Sequence, residues 1–124
     1  MSHTSFPVVQ IERQDHLRLK QLARIAEREK HPTAPFLLAE IRRAQVYDHA
    51  ATEETIGLNK QVSFRVDFGP TRRRLFVLPE HYANSELEVS VLSPVGAAML
   101  GLRKGDRMAY RYIFGALHFV TIID

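Results

Sequence analysis

No cysteine occurs anywhere in the chain. That excludes disulfides and thiol chemistry, and it is compatible with a reducing cytoplasm. Long apolar runs are missing as well, and none approaches the roughly 18–20 residues that span a bilayer. The first residues, Met1-Ser2-His3-Thr4, show no charged region followed by an apolar stretch, so a signal peptide is not expected. No loop of the GxxxxGK[ST] or GxGxxG type is present to cradle a nucleotide, and no GxSxG elbow to present a nucleophile. The six histidines (His3, His16, His31, His49, His81 and His118) include no pair at zinc-motif spacing. These absences predict a soluble, cytoplasmic protein, and no catalytic residue, cofactor, metal, membrane partner or small-molecule substrate is expected.

A dominant charge is also lacking. The formal net charge is only +3. Through Asp48 the chain carries 8 basic and 6 acidic residues, and after it 9 and 8. The overall balance is therefore weak support for nucleic acid binding, and an electrostatic argument has to rest on local clusters. What is present is an ordinary globular composition, 45% apolar over 124 residues, enough for one domain or a small domain with an appendage.

Periodicity divides the chain. Phe6–Ile11 is a short apolar stretch, a small strand or an extended arm. From Arg13 to Glu29 the pattern is helical, with Leu19, Leu22, Ile25 and Ala26 on one face and Asp15 placed for the cap or first turn. Pro32 and Pro35 break that helix, and a second is expected from Pro35 to about Tyr47, with a stripe of Leu37, Leu38, Ile41, Ala44 and Gln45. Two short amphipathic helices joined by a short loop predict an antiparallel hairpin over residues 1–48. Residues 49–59 are polar and read as a linker.

Residues 60–124 alternate in the manner of strands. Val62, Phe64, Val66 and Phe68 share one face, and Gly69-Pro70 signals a turn. Further strands are expected at Arg72–Leu78, Leu87–Leu92, Arg107–Ile113 and Leu117–Ile123, with Phe114-Gly115-Ala116 turning between the last two. The aromatic residues Phe64, Phe68, Phe76, Tyr110, Tyr112 and Phe119 fall on these patterns as core candidates. The fold class is thus α+β: a helical hairpin, or short coiled coil, attached to a mainly antiparallel sheet carrying one helix.

The helix of that second unit has the densest local punctuation. In LEVSVLSPVGAAMLGLRKGD, Leu87–Asp106, Ser93 is placed as an N-cap and Pro94 as the first helical residue. Gly101 supplies the stop, and Lys104-Gly105-Asp106 turns into the next strand. The run from Ser93 to Leu102, followed by Gly105-Asp106, resembles the C-terminal domain of the bacterial Gre transcript-cleavage factors. It is closer still to their relatives, the Rnk family of regulators of nucleoside diphosphate kinase. Ile56–Phe64 adds to the likeness, with Asn59 shortly before the first strand, and residues 8–48 carry it more weakly.

The resemblance implies an FKBP-like C-terminal domain, a curved antiparallel sheet wrapped around one helix. It implies RNA polymerase as partner, gripped at the rim of its secondary channel by Leu92, Ser93 and Pro94, with nucleic acid in the transcription complex at most an indirect contact. Some cleavage factors have an acidic residue at the position of Leu92. Gre factors also insert a long coiled coil whose two acidic tip residues hold a second Mg²⁺, an ion that suits oxygen ligands. Here Glu27 and Glu29 lie at the tip, interleaved with Arg28, Lys30 and His31, on a helix of only about 25 Å at about 1.5 Å per residue. Transcript-cleavage stimulation is not expected, and competition with Gre-type factors is.

Arg72-Arg73-Arg74 is the densest positive cluster; in a strand, Arg72 and Arg74 share a face that Arg73 does not. It reads as a solvated edge strand, or as a contact for nucleic-acid phosphate or an acidic patch on the polymerase. The rival reading of the whole chain is a peptidyl-prolyl isomerase, suggested by the FKBP-like fold although no aromatic substrate pocket is evident in the sequence. Regulation of nucleoside diphosphate kinase, direct or through transcription, is a third.

Overall fold

The computed structural model describes residues 6–48, 55–112 and 115–124. Strand β1 (Gln10–Glu12) runs directly into helix α1 (Arg13–Arg28). Helix α2 (Ala34–Arg43) returns and feeds strand β2 (Gln45–Tyr47). The helices are antiparallel: His16, in the first turn of α1, places its ring Nε2 3.3 Å from the carbonyl of Ile41 near the end of α2. Leu19 and Ala23 of α1 bury in one cluster with Leu37, Leu38 and Ile41 of α2, and Ala26 is buried as well. The expected stripe on α1 is rotated slightly, since Ile25 is largely exposed and Ala23 takes the buried place.

The second helix does not run on to Tyr47. It ends at Arg43, and residues 45–47 pair in parallel with residues 10–12, Gln10 opposite Gln45. The Gln45 amide donates to the Val9 carbonyl at 2.8 Å, and this pairing across the hairpin overrides the local helical pattern.

The remaining strands, β3 (Gln61–Val66), β4 (Arg72–Val77), β5 (Glu88–Ser90), β6 (Arg107–Arg111) and β7 (Leu117–Ile122), form one sheet in the order β5-β4-β3-β7-β6. Three of its ladders are antiparallel, as expected, while β4 and β5 pair in parallel. Helix α3 (Pro94–Met99) packs on the inner face with Val62, Phe64, Phe76, Met108, Val120 and Ile122. The same buried cluster takes in Val9, Ile11, Leu37, Ile56 and Leu58, so one core joins the hairpin to the sheet.

Several alternation readings stop short. Phe68 leaves the β3 face because Asp67 adopts φ 52° and turns the chain, which puts Phe68 in solvent at 98% exposure. Tyr112 and Leu87 are also exposed and Phe119 is half-buried, whereas Phe64, Phe76 and Tyr110 are buried as expected. Ile113 and Phe114 lie outside the described residues. Asn59, just before β3, has φ 66°, a left-handed conformation that asparagine tolerates better than most side chains. Its amide donates to the Phe76 carbonyl at 2.7 Å.

Candidate functional site

The corner entering α3 is built by three close polar contacts. The Ser93 hydroxyl accepts the Gly96 amide at 3.0 Å and donates to the Ser90 carbonyl at 2.7 Å. The Ser90 hydroxyl in turn accepts the Leu92 amide at 3.1 Å. Ser93 is therefore the N-cap and Pro94 the first helical residue, where its missing N–H leaves no partner wanting.

Gly96, three residues into this corner, has a role that sequence reasoning missed. A Cβ there would lie 1.9 Å from the Ser90 carbonyl oxygen, so only glycine permits the helix to start this close to β5. At the other end Gly101 has φ 74°, and its carbonyl accepts the Gln10 amide at 3.1 Å, tying α3 to β1. Ser93 and Pro94 are half-buried, and Leu92 packs partly against the core, so the corner is partly open to solvent.

Pro94 also borders a cleft of about 690 Å³ between α2 and the β6–β7 end of the sheet. Phe36 and Ala39 line it from α2, and Met108, Tyr110 and Tyr112 from the sheet side. Burial pushes the Tyr110 hydroxyl up to about 12, with Asp67 and Tyr112 adding to the shift. Glu40, 4% exposed, is raised by the same cause, although its bond from Arg43 Nε at 2.6 Å opposes the shift. Arg43 also donates to the Pro7 carbonyl and lies over the Phe6 ring. The buried Thr33 hydroxyl on this wall has no hydrogen-bond partner among the described residues. These residues come from segments more than a hundred positions apart, from Phe6 to Tyr112, so no local pattern in the sequence announces an aromatic cleft.

The hairpin tip gathers no comparable site. Glu27 and Glu29 are exposed, and neither makes an ion pair among the described residues. Lys30 turns the chain there with φ 59°. Helix α1, at 16 residues, spans about 24 Å and α2, at 10 residues, about 15 Å, at about 1.5 Å per residue.

The arginine triplet is divided. Arg73 Nη1 donates to the Ser63 hydroxyl at 3.0 Å on the outer face of the sheet. Arg74 donates to the carbonyls of Ser85 and Arg73. Strand β4 is not an edge throughout: Leu75–Val77 pair with β5, while Arg72–Arg74 have no strand partner on that side among the described residues. No three His, Asp or Glu side chains among the described residues converge as a metal site. No described helix is long and apolar enough to cross a membrane.

Comparison with known proteins agrees with this architecture. A family model described as the Rnk N-terminus matches residues 7–46. The regulator of nucleoside diphosphate kinase of Escherichia coli (strain K12) is 34% identical over 95 residues, covering 75% of this chain and 70% of that protein. The protein of the same name from Shigella flexneri matches to the same extent. Among solved structures, the prokaryotic transcription elongation factor GreA/GreB from Nitrosomonas europaea superposes with a TM-score of 0.73 at 30% identity, over 94% of this chain and 97% of that one. With the Rnk N-terminus model matched over residues 7–46 and 34% identity extending over 70% of the Escherichia coli protein, the chain belongs to the Rnk family, the regulators of nucleoside diphosphate kinase.

Proposed function

We propose that this protein is a non-enzymatic transcription regulator that docks on RNA polymerase near its secondary channel and competes there with Gre-type elongation factors. The likeness to a GreA/GreB elongation factor over nearly the whole chain carries the reading. The docking unit is the sheet with α3, an FKBP-like domain in this view, and it presents Leu92, Ser93 and Pro94 to the rim. The helical hairpin, a short coiled coil, enters the channel mouth. With about 24 Å of α1 and no converging tip carboxylates, it brings no second Mg²⁺ to the active centre. Occupying the rim is sufficient for competition by mass action.

A pull-down on immobilised core polymerase tests the docking step. Retention is expected, and it is expected to fall when Ser93 and Pro94 are replaced together in a variant whose circular dichroism is unchanged. No retention of the unaltered protein refutes the reading.

The aromatic cleft beside Pro94 supports a second reading, peptidyl-prolyl isomerase activity, because it could seat a proline side chain against Tyr110 and Phe36. A protease-coupled isomerisation assay separates the two. Background rates are expected, and turnover abolished by filling the cleft with Ala39→Trp would favour the enzyme.

A further inference from the structure

The sheet has one covered face and one bare one. Inward-facing residues bury against α3, while among the described residues no helix packs on the outer face. Register places four arginines on that outer face. Arg65 of β3 lies opposite Thr121 of β7, which lies opposite Arg107 of β6, so the three form one row across adjacent strands. Arg111 follows on the same face of β6 by register, opposite Leu117, at the hairpin end, where both also border the aromatic cleft and Arg111 Nη1 donates to the Gly115 carbonyl at 2.9 Å; Arg73 of β4 stands opposite Ser63. All four arginines are exposed. At about 4.8 Å between strands and about 3.3 Å per residue, Arg65 and Arg107 are roughly 10 Å apart, and Arg107 and Arg111 roughly 13 Å.

None of the four makes an ion pair among the described residues, whereas Arg13, Arg18 and Arg43 of the hairpin do. The nearby carboxylates are already engaged. Asp67 accepts the Phe119 amide at 2.9 Å and meets His118 Nδ1 at 2.7 Å; Arg107 adds a weaker attraction to it. Glu88 accepts the amides of Ala83 and Asn84. Protection of a sheet edge does not account for Arg65, since β3 is paired on both sides.

Between the charges lies apolar ground. The Arg107 guanidinium stacks on the Phe119 ring at 4.3 Å, which leaves its N–H edge free for an oxyanion, and Leu117 is half exposed beside Arg111. Alternating guanidinium and apolar surface matches the alternation of phosphate and base along a single strand, and it matches a run of carboxylates less well.

We propose that this outer face binds single-stranded nucleic acid, with Arg65, Arg73, Arg107 and Arg111 on the phosphates. The inference is independent of polymerase docking and needs no polymerase to test. The probe is a fluorescently labelled 20-nucleotide RNA of mixed sequence, titrated with the full chain across a salt series. Binding is expected, with log K falling against log salt at a slope of about −2 to −3, from about 0.7 per phosphate contacted.

Replacing all four arginines by glutamine is expected to cost at least tenfold in affinity. The control variant Arg13→Gln/Arg18→Gln/Arg24→Gln/Arg28→Gln on α1 removes equal charge and is expected to keep most of the binding. Arg107→Gln alone, the mildest change, is expected to flatten the slope by about 0.7. Equal loss in both fourfold variants overturns the proposal, as does absence of binding at 50 mM salt. Displacement by poly-L-glutamate as readily as by unlabelled RNA would assign the face to an acidic protein and overturn it too.

Discussion

Replacing Gly96 by alanine tests the geometry of the corner directly. In most helices Gly→Ala is favourable by about 1 kcal/mol, because alanine loses less backbone freedom. Here the added Cβ would stand 1.9 Å from the Ser90 carbonyl oxygen, where ordinary contact begins at 3.4 Å. The obstacle is backbone and has no rotamer to swing away, so α3 and β5 must separate by more than an ångström. That movement stretches the two bonds the same carbonyl accepts, from the Ser93 hydroxyl at 2.7 Å and the Ser93 amide at 3.1 Å. Overpacking of this kind costs about 1–3 kcal/mol, and each weakened hydrogen bond about 0.5–1.5 kcal/mol. Set against the helix gain, the net loss is about 1–5 kcal/mol. Urea denaturation followed by far-ultraviolet circular dichroism reads it as a lower midpoint at unchanged slope. An unchanged or raised midpoint would refute the close approach of α3 to β5.

Other consequences can be read in solution. Ser93→Ala is expected to cost about 0.5–2 kcal/mol through loss of the cap to Gly96, seen in the same denaturation experiment. In an ultraviolet titration, one of the four tyrosines is expected to ionise only near pH 12, and Tyr110→Phe should remove that late step. Asp67 is held below the ordinary carboxylate value of 3.8 by its bond to His118 and then by the Phe119 amide. Its support of the β3–β4 turn is therefore fully present above pH 3.8 and lost as pH falls through the depressed value. The Phe119 amide resonance should shift in that acid range, and Asp67→Asn should abolish the acid shift.

How much of this was legible in the sequence depended on how local each cause was. The Ser93 cap, the helical start at Pro94 and the stop at Gly101 follow from neighbouring residues, and they lie where the spacing predicts. Strand β2 does not, because Gln45–Tyr47 continue a helical stripe and become a strand only by meeting β1, thirty-five positions earlier. Phe68 continues the alternation of Val62, Phe64 and Val66, but the positive φ at Asp67 ends the strand before it. Strands β4 and β5 read as simple neighbours, and their parallel pairing depends on the excursion through Pro79–Leu87. The aromatic cleft and the row of outer-face arginines exist only once the order β4-β3-β7-β6 is known. In the sequence Arg72-Arg73-Arg74 looks like one cluster, yet strand alternation sends Arg73 alone to the face that Arg65, Arg107 and Arg111 occupy.

The most direct test of the account is a cleavage assay on backtracked RNA polymerase complexes. Added alone, this protein is expected to leave cleavage of the backtracked RNA at its basal rate. Added with a fixed amount of a Gre factor, it is expected to slow cleavage in a saturable manner that more Gre factor reverses. The Ser93 and Pro94 double variant should lose that inhibition. Cleavage stimulated by the protein itself would contradict the account, and so would Gre-dependent cleavage that proceeds unchanged at saturating concentrations of it.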